Sequence, residues 1–300
     1  MLIALVGNLL FSVLGLLGKV HRFGELASHF RVQYFVVAVL CLLLVCCLRQ
    51  WRWSVPAALC VLLNIALISP HVSLNAQAQN KETGLRILLT NVYHENKNYE
   101  AFFDLIRRER PDIIVTQETS SGWRDALKSL NTEYPYQCSG VQTDRDWIFL
   151  FSKLPLQNEP CNKGGFPPLL ATIVFQSKQI SLLSLHPSTP KSGKGLRSRN
   201  QQFDAVTAIF QNYNTPKIVI GDLNSSIWSP YFSDLEQSSN LSSVRKGFGI
   251  LPTWPTYFPP LMIPIDHCLV SSEFQVLNCR TGPNIGSDHL PLIVDLALRN

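Results

Sequence analysis

The stretch KIVIGDLN, residues 217–224, decides how the C-terminal part of the chain is interpreted. Its β-branched run at 218–220 predicts a short buried strand. Gly221 ends this run, and the polar residues Asp222 and Asn224 follow at once. Because an unpaired charge is expensive to bury, a carboxylate at the end of an apolar strand indicates either a turn or a functional site.

Around this strand, β-rich apolar runs alternate with amphipathic runs of helical spacing. Further strands are predicted at residues 85–92, 112–118, 147–152, 171–175, 179–186, 265–271 and 290–296. Helices are predicted at residues 99–110, 123–130 and 199–211. Many strands with few helices indicate an α/β domain, in which a two-layer sheet core is flanked by helices.

Polar residues of this domain gather at the ends of the predicted strands. They are Asn91, Glu118, His186, Asp222, Asn224, Asp266, Asp288 and His289. Each one alone could be a cap, a turn residue or a solvated loop residue. Their joint placement is better explained by one shared site at an edge of the sheets.

The order of these residues resembles the motifs of the endonuclease/exonuclease/phosphatase superfamily. The matching stretches are TNV at 90–92, TQE at 116–118, SLHP at 184–187, GDLN at 221–224, PIDH at 264–267 and GSDHLP at 286–291. The resemblance covers roughly residues 85–297 and is closest to a bacterial branch with an N-terminal multi-span membrane region. It implies a four-layer α/β sandwich, in which two packed mixed β-sheets are flanked by helices.

The resemblance also implies a divalent cation, Mg²⁺ or Mn²⁺, both of which prefer oxygen ligands. Glu118 and Asp288 are the expected carboxylate ligands, and Asn91 is expected to contact both the metal site and the phosphate of the substrate. His289 is expected to act as general base or to polarise the phosphate. Asp266 would orient its ring, because a carboxylate on one ring nitrogen fixes the tautomer.

Five further residues have expected roles. Asp222 and Asn224 would position the attacking water and the phosphoryl oxygens, and His186 would be a second imidazole near the scissile phosphate. Arg199 and Trp254 are candidates for substrate binding. A histidine at position 186 resembles the deoxyribonuclease, phosphatase and sphingomyelinase branches and argues against abasic-site repair.

The N-terminal residues differ sharply in composition from the rest. Residues 1–80 contain a single acidic residue, Glu25, and account for +4 of the formal net charge of +5. Uncharged apolar runs occur at residues 1–18, 32–48 and 53–69. A bilayer span needs about 17 to 20 apolar residues. We therefore expect two or three transmembrane helices at 1–69, a polar linker at 70–84 and a catalytic domain at 85–300, which should fold without the preceding residues.

Charge and cysteine usage bear on where the catalytic domain lies. The first loop has three Lys or Arg and the second has two, so the positive-inside rule barely discriminates. The flank at 70–80 has no Lys or Arg, which favours export. Four cysteines, Cys138, Cys161, Cys268 and Cys279, permit two disulfides or four buried thiols. We expect a multi-pass protein of the bacterial inner membrane with a periplasmic catalytic domain.

The sequence thus predicts a membrane-anchored, divalent-metal-dependent phosphoesterase for a phosphodiester or phosphomonoester, which includes a lipid or other membrane-associated substrate. The alternative is a metal-dependent nuclease acting on DNA or RNA, although residues 81–300 carry a net charge of only +1. A second alternative, an inactive membrane-bound binding module, is disfavoured because no motif residue is missing. No protein partner is predicted.

Overall fold

The computed structural model describes residues 2–72, 84–143, 146–157 and 169–299. The N-terminal helices are α1 (Leu2–Leu14), α2 (Arg22–Ser28), α3 (Arg31–Cys47) and α4 (Ser54–Ile68). The later helices are α5 (Tyr99–Glu109), α6 (Ser121–Leu127), α7 (Gly193–Phe210) and α8 (Pro230–Ser239). The strands are β1 (Leu85–Asn91), β2 (Ile113–Gln117), β3 (Tyr136–Thr143), β4 (Asp146–Ser152), β5 (Leu169–Phe175), β6 (Lys178–Ser184), β7 (Lys217–Asp222), β8 (Ser242–Ser243), β9 (Asp266–Val270), β10 (Phe274–Thr281) and β11 (Leu292–Leu298).

Two mixed sheets form the centre of the domain that follows the N-terminal helices. The first has the strand order β10-β11-β1-β2-β4-β3, and the second has the order β5-β6-β7-β9-β8. Each sheet contains one parallel pair, β1 with β2 and β6 with β7, and its other pairs are antiparallel. The α/β prediction of two mixed sheets flanked by helices is confirmed.

Alternation along the strands produces the layers. In β1, Ile87 and Leu89 face the second sheet, while Leu88 faces the helices α5 and α6. The outer face of the second sheet packs on α7 and α8 through Leu183 and Val219. Because side chains alternate between faces, each sheet buries one face against the other sheet and one against helices.

Some elements differ from the sequence-based predictions. Helix α7 begins at Gly193, six residues before its predicted start. The side chain of Ser192 accepts a hydrogen bond from the Gly195 amide and caps this helix. The strands β3 and β10 were not predicted, since their residues lack a long apolar run.

The N-terminal helices agree only in part with the predicted spans. One helical stretch, Trp51–His71, is long and apolar enough to cross a membrane. Helices α2 and α3 pass the same test only as a pair bent by 71°, and α1 is shorter. Length and composition of the described residues therefore allow one or two spans. Of the expected two or three, two are allowed and three are not supported. Of the predicted linker, residues 73–83 lie outside the described part of the chain.

The N-terminal helices pack directly on the catalytic domain. Arg199 Nη1 lies 2.7 Å from Glu25 Oε1, and both side chains have an exposed fraction of 0%. Ser229 donates a hydrogen bond of 2.7 Å to the same carboxylate oxygen. At the surface, Lys19 forms an ion pair of 2.8 Å with Asp234. The two parts of the chain thus share a buried interface, which the sequence did not suggest.

The cysteines of the catalytic domain fall into two groups. Cys138 is disulfide-bonded, whereas Cys268 and Cys279 are free and buried. Burial raises the pKa of the Cys279 thiol to about 11 and raises that of Cys268 well above its usual value. Cys161 lies outside the described residues. Two disulfides within this set are therefore excluded, and so are four free thiols.

Candidate metal and active site

The ends of four strands bring the predicted site residues together. Asn91 ends β1, Glu118 follows β2 directly, and Asp222 ends β7. Because β1 with β2 and β6 with β7 are parallel pairs, their carboxyl ends lie at one edge of each sheet. Strand β9 runs antiparallel to β7, so its first residue, Asp266, pairs in register with Asp222. The two sheets therefore present their polar ends to a single site.

Glu118 is held by three polar side chains. Asn91 Nδ2 donates to Glu118 Oε1 at 2.8 Å, and His94 Nδ1 lies 3.1 Å from Oε2. His186 Nε2 lies 3.7 Å from Oε1. Burial opposes ionisation of Glu118, but His186 and Asn91 outweigh it and lower the pKa of the carboxyl group. Its backbone is left-handed, with φ of 55°, which is costly for a residue with a side chain and is typical of functional positions.

Asp222 lies at the centre of the site. Its Oδ2 atom is 3.3 Å from Asn91 Nδ2, 3.5 Å from His186 Nε2 and 3.7 Å from His289 Nε2. Its Oδ1 atom accepts a hydrogen bond from the Asn224 amide, as in a turn. The preceding residue must be glycine, because a Cβ at Gly221 would lie 1.8 Å from the carbonyl oxygen of residue 185.

Asp266 and His289 form a buried pair. His289 Nδ1 lies 2.8 Å from Asp266 Oδ2, and both side chains are almost fully buried. Burial alone would lower the pKa of His289, but Asp266 and Asp222 outweigh it and raise that pKa to about 9. The ring is therefore protonated at neutral pH in the metal-free protein, so His289 is better suited to polarise a phosphate than to accept a proton.

Asp288 and Trp254 form a second pair at the rim of the site. The indole Nε1 of Trp254 donates to Asp288 Oδ2 at 3.0 Å. Burial, together with the charges of Glu118 and Asp222, raises the pKa of Asp288. Asp288 Oδ1 is buried and accepts no hydrogen bond from the described residues, so it is available to a bound cation.

The donor set fits a divalent cation, but not in the combination that the resemblance implied. Ligand atoms of Glu118, His186 and Asp222 lie within 4.8 Å of one another. Asp288 does not belong to this group, and Asn91 points its amide nitrogen at Glu118 while its oxygen accepts from a backbone amide. Two carboxylates and one imidazole suit Mg²⁺ or Mn²⁺ better than a structural zinc. In this structure Asn91 therefore positions Glu118, and its expected contact with the metal stays a prediction.

A second group of possible ligands shares Asp222. It consists of Asp222, Asp266 and His289, whose ligand atoms also lie within 4.8 Å of one another. In this group the short contact between Asp266 and His289 already uses one donor of each. The first group is thus the better candidate for the metal, and the second group is better suited to hold a charged imidazole.

These residues line a cavity of about 750 Å³. We call Glu118, His186, Asp222, Asp288 and His289 the polar floor of this cavity. Leu26, His29 and Phe30, from the junction between α2 and α3, also line the cavity, and we call them the helical wall. Both Asn224 and Trp254 line the cavity as predicted.

Three predicted residues, Asn91, Asp266 and Arg199, do not line the cavity. Asn91 and Asp266 contact the lining residues Glu118 and His289. Arg199 is wrong as a substrate-binding candidate in this structure, because its guanidinium is fully buried against Glu25 and donates to the Asn224 carbonyl. Burial lowers its pKa despite the opposing charge of Glu25. Asn224 itself donates through its side chain to the Pro187 carbonyl at 2.9 Å, so its amide is partly committed.

Sequence reasoning missed two contributions to the site. His94 contacts Glu118 from a loop after β1, where it had no strand end to mark it. The helical wall lies in the apolar N-terminal part, which we expected to be separate. Alternation along β9 does predict that His267 faces away from Asp266, and its ring contacts the Ser225 carbonyl at 2.7 Å, while burial lowers its pKa to about 3.

Comparisons with known proteins agree with this geometry. The model of the endonuclease/exonuclease/phosphatase family matches residues 88–289. An endonuclease/exonuclease/phosphatase from Beutenbergia cavernae DSM 12333 is similar with a TM-score of 0.57 and 18% identity, over 72% of each chain. D. rerio TDP2 complexed with single strand DNA product has a TM-score of 0.61 and 16% identity, over 72% of this chain and 100% of that chain.

A third solved structure is beta toxin 275-280 from Staphylococcus aureus, with a TM-score of 0.51 and 17% identity over 72% of this chain and 100% of that chain. No curated protein sequence matches this chain. At these identities the solved structures demonstrate a shared fold. The family match, which spans most of the chain and contains every residue of the polar floor, bears on the chemistry.

Proposed function

Since the chain belongs to the endonuclease/exonuclease/phosphatase family and is a hydrolase of phosphoester bonds, we propose that it is a membrane-anchored, divalent-cation-dependent phosphoesterase. The observation that carries this proposal is the cluster of Glu118, His186 and Asp222 beside the buried pair of Asp266 and His289. These groups supply an oxygen-rich cation site and a protonated imidazole within one cavity.

Hydrolysis of a phosphoester requires that negative charge on the phosphoryl oxygens be stabilised while water attacks. Glu118, His186 and Asp222 would hold a divalent cation, which would supply positive charge there and lower the pKa of a bound water. His289 Nε2 points toward Asp222 and can donate to a phosphoryl oxygen. Asp266 accepts from Nδ1 of this ring and stabilises its protonated form, in which Nε2 also carries a proton and can donate it toward the substrate.

The remaining residues of the site position these groups. Asn91 donates to Glu118 and lies near both Asp222 and His289, which fixes the distance between the cation site and the imidazole. Ser287 donates to the Asn91 carbonyl and accepts from the His289 amide, so the loop before β11 is tied to the end of β1. The polar floor is thus set before substrate binds, as electrostatic catalysis requires.

A nuclease is the second candidate function. The observation in its favour is the likeness in fold to D. rerio TDP2, which was solved with a single strand DNA product. Two observations weigh against it. Residues 81–300 carry a net charge of only +1, whereas DNA binding normally needs an excess of basic residues. The helical wall also adds side chains of the N-terminal helices to the lining of the cavity, which reduces the room for a polymer beside the polar floor.

We further propose that the chain is a multi-pass protein of the bacterial inner membrane whose catalytic domain faces the periplasm. The apolar helices α1, α3 and α4 expose large hydrophobic side chains such as Ile3, Leu40 and Leu62, which need an apolar environment. The disulfide of Cys138 supports an oxidising compartment.

The test is hydrolysis of bis(p-nitrophenyl) phosphate and of p-nitrophenyl phosphate by the full chain in non-ionic detergent, with EDTA, Mg²⁺ or Mn²⁺. We expect turnover only with a divalent cation, and the two substrates distinguish phosphodiesterase from phosphatase activity. No turnover of either substrate with any cation would contradict the proposal. Faster cleavage of single-stranded DNA than of any small phosphoester at low salt would favour the nuclease.

A further inference from the structure

The position of the helical wall in the cavity is fixed by specific contacts. Leu26 near the end of α2, and His29 and Phe30 at the bend that joins α2 to α3, all line the cavity. This bend is fixed, because Arg31 donates to the Ser12 carbonyl in α1 and a Cβ at Gly24 would meet the Leu17 carbonyl oxygen at 2.5 Å.

The catalytic domain holds the helical wall from both sides of the cavity. On one side, Glu25 is buried between Arg199 and Ser229. His29 Nδ1 lies 2.9 Å from the Ser226 hydroxyl, which belongs to the loop after β7. On the other side, Gln33 donates to the carbonyls of Pro260 and Met262. The position of the wall over the polar floor is therefore specified by buried polar contacts.

The segment that Gln33 contacts has an unusual surface. It begins and ends at Trp254 and Ile263, which pair through backbone hydrogen bonds and both line the cavity. Between them the chain exposes Tyr257 by 73% and Phe258 by 50%. Aromatic side chains of this kind are enriched where a protein meets the membrane interface. The cavity is thus bordered by helices with exposed apolar faces and by an exposed aromatic loop.

Resting on the proposed function, we infer that the helical wall binds the apolar chain of a lipid phosphoester while the polar floor binds its phosphate. The cavity has the two chemistries that an amphiphile needs. Glu118, His186 and Asp222 form the polar end, while Leu26 and Phe30 with Trp254 and Ile263 form the apolar end. The N-terminal helices are then a specificity-determining part of the enzyme as well as its anchor.

Chain length is the property that tests this inference. Each methylene group removed from water contributes to binding, which corresponds to about a 2- to 4-fold gain in affinity per group while the chain stays in contact with the wall. We would measure dissociation constants of n-alkylphosphonates with two to ten carbons by calorimetry, using the full chain with Mn²⁺ in non-ionic detergent. We expect affinity to rise with chain length by at least about 10²-fold over the series.

Variants of the wall assign the effect to these residues. Phe30→Ala and Leu26→Ala should each reduce the ratio of affinities between the longest and the shortest phosphonate by about 5- to 10-fold, and Phe30→Leu should restore most of the ratio. Phe23→Ala is the matched control, because Phe23 lies on α2 with Leu26, is 51% exposed and does not line the cavity. Melting temperatures of all variants identify any that do not fold.

The binding series tests the inferred lipid site, and the turnover assay tests the proposed function, so the two can be contradicted independently. Affinity that is independent of chain length, in a protein that hydrolyses bis(p-nitrophenyl) phosphate, overturns the inference and leaves the phosphoesterase intact. Affinity that rises with chain length, in a protein with no cation-dependent turnover, overturns the proposed function and leaves the lipid site. A loss of chain-length dependence in Phe23→Ala to the same extent as in Phe30→Ala would also overturn the assignment to the wall.

Discussion

The polar floor and the helical wall line the same cavity, but the floor combines residues from several strands and the wall comes from one helical bend. The floor joins residues from both sheets through a continuous network, in which Asn91 contacts Glu118, Asp222 and His289. The wall consists of side chains from one helical bend and presents mainly apolar surface. The charged groups of the floor influence one another's protonation, whereas the apolar side chains of the wall determine only which substrate groups fit into the cavity. The comparison separates a region that performs chemistry from a region that selects the substrate.

The two regions also differ in how they are stabilised. The floor is part of strands whose neighbours bury a large apolar core between the sheets. The wall depends on a few polar contacts, of which the buried pair of Glu25 and Arg199 is the most enclosed. Changes in the floor should therefore alter turnover with little effect on folding, and changes at the base of the wall should do the reverse.

The largest effect is expected from Glu118→Gln in the floor. The amide keeps the size of the side chain but removes the negative charge that holds the cation, so several kcal/mol of transition-state stabilisation are lost. Turnover of bis(p-nitrophenyl) phosphate should fall by about 10⁴-fold, or about 5 kcal/mol, and Mn²⁺ binding should disappear in calorimetry. The melting temperature of the metal-free protein should stay close to that of the wild type.

Glu100→Gln is the matched control, since Glu100 is exposed in the first turn of α5, away from the cavity. It should leave both turnover and Mn²⁺ binding unchanged. Unchanged cation dependence in Glu118→Gln would show that the metal lies elsewhere. Loss of melting temperature in the same variant would show that the carboxylate supports the fold, and the proposed division between floor and wall would then fail.

The second effect should appear in stability. Glu25→Gln leaves the guanidinium of Arg199 buried without a countercharge, and breaking a buried pair in this way costs about 3 to 5 kcal/mol. We expect a clear drop in the melting temperature of the full chain in detergent. Replacing both residues, as in Glu25→Leu with Arg199→Met, should recover much of the loss, because no charge then remains unpaired. A double variant that is no more stable than Glu25→Gln would contradict this account.

The sequence predicted the floor far better than the wall, for a physical reason. Glu118, Asp222 and Asp266 are charged residues at the ends of apolar strands, so local patterns mark them before any tertiary contact is known. Arg199 was misassigned because its partner, Glu25, lies far away in the sequence and within a region of different composition. From the sequence alone, a basic residue close to a motif suggests a phosphate ligand. Only the fold shows that such a residue is paired with an acidic side chain.

The wall and His94 illustrate the same limit. Leu26 and Phe30 belong to a composition that indicates a membrane segment, and nothing in that composition tells which side chains face a catalytic domain. His94 lies in the loop after β1, and loop geometry depends on what the loop packs against. Sheet order was likewise beyond local patterns, since it rests on pairings such as β1 with β11 at opposite ends of the domain.

The third effect concerns His289, which belongs to the floor, and Asp266, which holds its ring from below the cavity lining. If Asp266 acts only by orienting and charging His289, then His289→Ala and Asp266→Asn should each lower turnover by about 10²-fold, the lower range for acid–base groups. The double variant should lose little more, because residues that act as a unit are not additive. A double-mutant cycle on kcat of bis(p-nitrophenyl) phosphate measures this. Additive losses would show that the two residues act independently, and unchanged turnover in Asp266→Asn would leave it only a structural role.

The smallest effect is expected at a second ion pair that joins the same two parts of the chain. Lys19 and Asp234 lie 2.8 Å apart, almost the same distance as Glu25 and Arg199, but their side chains are 57% and 50% exposed. Water and salt screen exposed charges, and ordering two long side chains offsets much of the attraction. Lys19→Ala should therefore change stability by less than about 1 kcal/mol, and the difference should shrink further in about 0.5 M salt. Melting temperatures of Lys19→Ala and Glu25→Gln, measured side by side in the same detergent, compare the two pairs directly. An effect of Lys19→Ala as large as that of Glu25→Gln would show that the exposed ion pair stabilises the wall as much as the buried pair does. It would contradict the proposal that burial makes the Glu25–Arg199 pair the more important of the two.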